Sequence, residues 1–151
     1  MADSIREKVL KAMVATLNAS PPVGVPVTTR SRMESVTPDL LPTCRLFPEK
    51  DSEEAMETGL AVGPARKHTM DVTIEVRAKG DAMLSADQAA DPILQWIDAK
   101  LNETTYPEVW RFCEIVDTSW DQELEEYAYV LVTVVLRVAF LSLRGDATKW
   151  S

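Results

Sequence analysis

The residues best suited to chemistry in this chain are a single histidine and two cysteines. His68 follows Arg66 and Lys67 at the start of a strand-like segment, where an imidazole can act as a general base. No serine or cysteine motif supplies it with a partner, so a structural or exposed histidine is the favoured interpretation. Cys44 and Cys113 lie far apart and form no metal-ligand pattern, and the apolar neighbours of Cys113 are typical of a buried free thiol. A nucleophilic role is disfavoured for both cysteines.

Two acidic clusters are the other candidates. The first occupies residues 49–57, and its carboxylates lack the spacing of a calcium loop although they are of the type that binds hard cations. A solvated loop is the simpler interpretation, and an electrostatic contact with a partner is the alternative. The second occupies residues 117–126 and contains Trp120, a residue type enriched at interface hot spots. An interface and a local packing anchor both remain open for Trp120.

Composition narrows the function classes further. The five glycines form no dinucleotide-binding or Walker pattern, so we expect no cofactor, no metal and no catalytic activity. The chain carries 16 basic and 24 acidic residues, and its net charge of −8 disfavours sequence-independent binding to a phosphate backbone. Two cysteines are too few for a disulfide framework, so a reducing cytoplasm is the expected compartment. The N-terminal residues MADSIREKVL lack the apolar region of a secretory signal.

The element that must position these residues is the apolar run Leu124–Leu143. Its β-branched, aromatic and aliphatic composition favours a strand, and Arg137 near its middle disfavours a membrane span. A strand of this length would reach roughly 60 Å, against about 17–20 Å for a usual strand. One small domain cannot easily bury both faces of such a ribbon. Part of it should be bent or covered by another subunit, which points to an assembly protein.

Helices are predicted at two places. Ser4 and Glu7 have the spacing of a capping box, and apolar residues then recur at helical intervals, so residues 4–18 are predicted to form an amphipathic helix. A second helix is predicted near residues 86–102. Its regular part is expected to begin only at Asp91, because the following Pro92 suits the first helical position.

Strands and connections complete the pattern. Alternation from Met70 to Val76 predicts a strand with one buried and one wet face, and Trp110–Val116 is a further strand candidate. Residues 48–64 are expected to be a long hairpin connection, and residues 117–126 an acidic turn. The predicted fold class is α+β: a single domain with a mostly antiparallel sheet, a very long C-terminal strand and two helices packed on it.

The order of these pieces resembles the tail terminator (minor tail or tail completion) proteins of long-tailed bacteriophages. The resemblance covers residues 4–146 and rests on five segments in their order rather than on one specific motif. These are the opening helix IREKVLKAMVATLN, the edge strand LLPTCRLFPEKD with the acidic stretch after it, the strand HTMDVTIEVRAKG, the helix ADPILQWIDAKL and a long last strand that ends in FLSLRGDA.

The resemblance implies a structural virion protein, with residues 1–151 as one tail-terminator-like domain. Such proteins form a homo-hexameric ring on the last ring of tail tube protein, stop its polymerisation and present a surface to the head-side connector or completion protein. The expected location is the tail or neck of a virion assembled in a host bacterial cytoplasm, with no membrane contact. DNA would only pass through the lumen, without specific binding, which suits a net charge of −8.

This interpretation assigns two sets of interface residues. Tyr127, Tyr129 and Leu131 are expected to contribute to the subunit core and to the contact between subunits. Contacts to adjacent rings are assigned to Trp120 and to the acidic stretch, namely Glu53, Glu54 and Glu57. Two alternatives remain: another ring protein of the phage neck, or a small cytoplasmic ligand-binding domain or enzyme that uses His68 or the acidic cluster.

Overall fold

The longest strands of this protein lie side by side at the centre of one five-stranded sheet. The computed structural model describes residues 4–30, 41–58, 61–80, 83, 85–102, 112–124 and 128–143. The elements follow in chain order: α1 (Ile5–Leu17), β1 (Thr28–Thr29), β2 (Thr43–Thr58), β3 (Ala61–Lys79), α2 (Ala86–Ile97), a π-helical turn (Asp98–Asn102), β4 (Phe112–Leu124) and β5 (Ala128–Leu143). The predicted α+β fold class is confirmed.

The sheet has the strand order β1–β2–β3–β5–β4. The short β1 is parallel to β2, and every other neighbouring pair is antiparallel. The β3–β5 pair is continuous from Ala65 opposite Leu143 to Lys79 opposite Tyr129. The predicted long C-terminal strand is therefore present, although it begins at Ala128 rather than Leu124.

One face of this sheet supplies the core. Met70, Val72, Ile74 and Val76 are fully buried, as their alternation predicts, and they lie opposite buried residues of β5 from Val132 to Val138. Period-two burial is what a strand produces when a second layer covers one face of its sheet. The opposite face of β3 is only half-buried, with Thr73 as its buried exception. We refer to this second face as the outer face.

The two helices cover the core face. Ser4 caps α1 by accepting a hydrogen bond from the Glu7 N–H at 3.1 Å, as the sequence predicts. Trp96 of α2 donates its indole N–H to the Leu17 carbonyl at 2.9 Å, which satisfies a carbonyl at the end of α1 and ties the helices together. No helix in the described part of the chain is long and apolar enough to cross a membrane.

The expected start of α2 at Asp91 is wrong. The helix begins at Ala86, with Ser85 as N-cap, and Pro92 lies inside it. The Ser85 N–H donates to the Gln88 side-chain oxygen at 3.0 Å, the return bond of a capping box. Proline removes one intrahelical hydrogen bond, but Ala90, Ile93 and Ile97 bury the helix against the sheet and hold it helical through this position.

Both acidic segments form strand where a connection or a turn was expected. Residues 48–58 belong to β2, and residues 61–64 belong to β3, so the predicted hairpin has two long arms and only residues 59–60 between them. Asp117–Leu124 likewise continues β4, with Trp120 opposite Val132, so the predicted Trp120 turn is wrong. Pairing with the apolar strands overrides the low strand propensity of these acidic residues.

Candidate functional site

The single histidine lies in a buried contact between the hairpin and α1. The Nδ1 atom of His68 is 3.1 Å from one Asp51 carboxylate oxygen, and its ring stacks on Phe140 with a centroid distance of 4.7 Å. Asp51 also accepts from the Nε of Arg6 at 2.8 Å and forms a salt bridge with the same guanidinium. His68 is 5% exposed. This buried position agrees with the structural role favoured from the sequence.

What this arrangement does is join elements that are distant in the chain. Arg6 belongs to α1, Asp51 to β2, His68 to β3 and Phe140 to β5. Asp51 is partly buried, and a carboxylate withdrawn from water is stable when it is paired and hydrogen-bonded, which its contacts with Arg6 and His68 provide. Among the described residues, no group of three His, Cys, Asp or Glu side chains is placed to hold a metal ion.

The two cysteines are buried as thiols. Burial raises the pKa of Cys44 to about 11, against a smaller opposing effect of its hydrogen bond with Thr28. Burial also raises the pKa of Cys113 to about 12, and the neighbouring Glu114 carboxylate adds to the shift. The thiolate is the nucleophilic form of cysteine. Both side chains are therefore poor nucleophiles at neutral pH.

A second set of contacts fixes α1 against the β1 end of the sheet. The Thr28 N–H donates to the Asn18 side-chain oxygen at 2.7 Å, and the Asn18 amide donates to the Thr28 carbonyl at 3.0 Å. Arg30 binds both carboxylate oxygens of Glu7, at 2.7 and 3.2 Å. These contacts hold α1 in a defined position relative to β1.

The predicted acidic interface residues lie along β2. In the backbone register with β3, Glu53 lies opposite His68, Glu54 opposite Lys67, and Glu57 opposite Val62. The β3–β5 pairing stops at Ala65, opposite Leu143, so the hairpin continues past β5 as a two-stranded ribbon in the described part of the chain. We call this segment, Met56–Thr58 with Ala61–Pro64, the hairpin tip.

The other predicted interface residues are spread over the two neighbouring strands. Trp120 on β4 is 47% exposed, whereas Leu131 on β5 is half-buried on the outer face, between Arg77 and Asp121. The backbone of Tyr129 pairs with Lys79 and Glu123. Tyr127 lies outside the described residues.

The outer face carries a row of alternating charge that the sequence did not reveal. Strand register places Lys50, Asp71, Arg137 and Glu114 side by side on four successive strands. The Nε of Arg137 lies 3.2 Å from an Asp71 carboxylate oxygen. These residues are far apart in the chain, and only the strand register brings them together. Opposite charges on directly paired residues stabilise that register.

A groove runs between α2 and the edge strand β4, and its helix side was also missed by sequence reasoning. Two cavities follow it, of about 420 and 400 Å³. The first is lined by Asp87, Gln88, Asp91 and Trp120. The second is lined by Leu94, Ile97, Asp98, Ile115, Thr118 and Val134. We call this feature the α2–β4 groove. The helical spacing of Asp87, Asp91 and Asp98 is the signal that was present in the sequence.

Comparison with known proteins gives one informative likeness. No family model matches the sequence, and no curated protein matches it significantly. Among solved structures, the fold is similar to that of a chain in a structure described as the virion of a native gene transfer agent particle. The TM-score is 0.51, the sequence identity is 12%, and the alignment covers 90% of each chain. The two chains thus share a fold.

Replacement of Asp51 by asparagine tests the buried contact. We expect Asp51→Asn to lower the free energy of unfolding by ~1–2 kcal/mol, because it removes the charge that His68 and Arg6 share. Urea unfolding followed by circular dichroism measures the change. The exposed Asp121→Asn is the matched control and should stay within about 0.5 kcal/mol of the wild type. Equal midpoints for all three proteins would contradict a stabilising role for Asp51.

Thiol reactivity tests the burial of the cysteines. At pH 8 we expect the folded protein to react with a disulfide reagent about a hundredfold more slowly than a free thiol, because raised pKa values leave little thiolate. The protein unfolded in denaturant is the control and should react at both cysteines. Rapid reaction of the folded protein at either position would place that thiol at the surface.

Proposed function

We propose that this protein is a structural virion protein that forms a hexameric ring on the end of a phage tail tube. The ring ends tube polymerisation and provides the surface to which the head-side connector attaches. The observation that carries the proposal is the fold likeness to a chain of a virion particle, which extends over 90% of both chains. The sequence resemblance to tail terminators supplies the specific position within the virion.

The hairpin tip supports a role in assembly. It extends four residues beyond the last β3–β5 pair, which corresponds to about 13 Å of strand. A two-stranded ribbon alone is only marginally stable in water. Contact with a neighbouring protein would supply the surface that the described part of this subunit does not provide. The carboxylate of Glu57 on this tip, with Glu53 and Glu54 beside it, is assigned to contacts with the adjacent ring.

The charge of the chain is consistent with a lumen through which DNA passes. A net charge of −8 on each subunit, repeated around a ring, repels a phosphate backbone and leaves no tight resting position for it. In this function the DNA only transits the ring. No cofactor, metal or catalytic step is required.

Light scattering followed by electron microscopy of tube ends tests the function. The purified protein is measured alone and then with tail tubes assembled without their terminal ring. We expect either a hexamer in solution or a monomer that becomes a six-fold ring at one end of the tube. A monomer or dimer that ignores the tube would overturn the proposal. Binding to the portal side instead would assign the chain to another neck ring.

Replacement of the three hairpin carboxylates tests their role in the contact between rings. We expect Glu53→Ser, Glu54→Ser and Glu57→Ser together to leave the fold intact and to weaken attachment to the tube. The fold should persist because the core rests on alternating apolar residues of β3 and β5, which these substitutions leave unchanged. Thermal unfolding checks the fold, and the yield of joined particles checks attachment. Unchanged joining would refute the assignment of these residues.

A further inference from the structure

The α2–β4 groove has the character of a docking surface. Its floor contains apolar side chains of Leu94, Ile97, Ile115 and Val134, and Trp120 lies at one end, 47% exposed. A large aromatic side chain at the rim of an apolar groove is typical of a contact that a partner completes. The groove runs alongside β4, which is the last strand in the order of the described sheet.

The charge of this surface has one sign. Neither α2 nor β4 contains a lysine or arginine. Asp87, Asp91 and Asp98 recur with helical spacing and are exposed along the groove, with Leu94 between them. Residues three and four apart lie on the same helix face, so Asp87 and Asp91 are neighbours and Asp98 follows on the same face after Leu94. The groove therefore selects a partner that presents cations at the same spacing.

Helix α1 of the chain itself carries such a surface. Lys8, Lys11 and Ala15 are exposed on α1 at intervals of three and four residues and form one stripe of that helix. Helix α1 contacts β1 and β2, at the other end of the strand order from β4, and also the π-helical turn that follows α2. Two different complementary surfaces on one subunit are the requirement for a head-to-tail contact that closes into a ring.

We propose that α1 of one copy docks in the α2–β4 groove of the next copy. Lys8 and Lys11 face the carboxylate stripe of Asp87 and Asp91, and the small Ala15 side chain allows the helix to approach the groove closely. The partner is a second copy of this chain. The proposal rests on the proposed function only for the closure of these contacts into a six-membered ring.

Charge also disfavours the obvious alternative, in which the free sheet edges of two copies pair. Edge strand β4 carries Glu114, Asp117 and Asp121 and no lysine or arginine. Beyond its short pairing with β1, β2 carries an excess of carboxylates, with Lys50 as its one cation. Strand edges with an excess of the same charge resist pairing with each other. Helix-in-groove docking brings opposite charges together instead, which both steers the encounter and fixes the register of the contact.

Charge reversal on each surface tests the docking. One variant carries Lys8→Glu and Lys11→Glu, and a second carries Asp87→Lys and Asp91→Lys. Each alone places like charges in the contact, and we expect the concentration at the midpoint of self-association to rise at least about tenfold. An equimolar mixture of the two variants restores both pairings and should assemble like the wild type. Sedimentation velocity and electron microscopy of tube ends measure assembly in solution and on the tube.

The matched control is Val23→Glu with Lys79→Glu, which makes two exposed positions outside α1 and the α2–β4 groove more acidic and should assemble normally. If a reversed variant does not fold, a cross-link decides the question. Lys11→Cys and Asp91→Cys in one chain should form disulfide-linked oligomers on oxidation, because the native thiols are buried. Absence of cross-linked oligomers would overturn the docking.

The outcomes separate the docking from the proposed function. Normal ring formation on tubes by both reversed variants would overturn the docking and leave the proposed function standing. Loss of self-association that the mixture restores, without any binding to tubes, would support the docking and overturn the proposed function. Wild-type protein that self-associates neither in solution nor on tubes would overturn both.

Discussion

The antiparallel pairing of β3 with β5 is the interaction on which the rest of this structure depends. It is continuous from Ala65 opposite Leu143 to Lys79 opposite Tyr129. Alternate residues of both strands are buried on one face, and both helices pack on the core that this face supplies. Burial contributes about 25 cal/mol per Å² of apolar surface, so this face dominates the stability of the fold. The contact between His68, Asp51 and Arg6 only positions elements that the apolar face already holds.

The same pairing creates the surfaces through which this protein can meet others. Because β3 is longer than the described part of β5, the hairpin tip extends past their last pair. Within the described sheet, β4 pairs with β5 alone, and the α2–β4 groove lies beside it. Long strands in a small protein bury one face internally and leave ends and edges that an assembly can use. The long apolar strand visible in the sequence is accounted for by its place inside the sheet, where β5 pairs with β3 on one side and with β4 on the other.

Sequence reasoning succeeded where one segment contains the whole signal. The alternation from Met70 to Val76 and the cap at Ser4 are local patterns, and both are confirmed. It failed where a partner strand decides the conformation: Asp117–Leu124 is strand because β5 lies beside it, which local propensity does not encode. The α2–β4 groove was missed for the same reason, because Asp91 and Trp120 come together only through the strand order. Trp120 alone was found, since its residue type is unusual among acidic neighbours.

Charge, rather than apolar area, is the property by which the proposed contact between copies of this chain differs from uncontrolled strand pairing. A protein with open sheet edges is at risk of uncontrolled strand pairing, and carboxylates along β2 and β4 oppose it at every edge-to-edge encounter. The same carboxylates would oppose any self-association if cations were spread evenly. The cations of these elements are not spread evenly: α1 exposes Lys8 and Lys11 on one helix stripe, whereas α2 and β4 contain no lysine or arginine. In the proposed docking, this segregation favours the orientation in which α1 of one copy faces the α2–β4 groove of the next, as closure of a ring, in contrast to aggregation, requires.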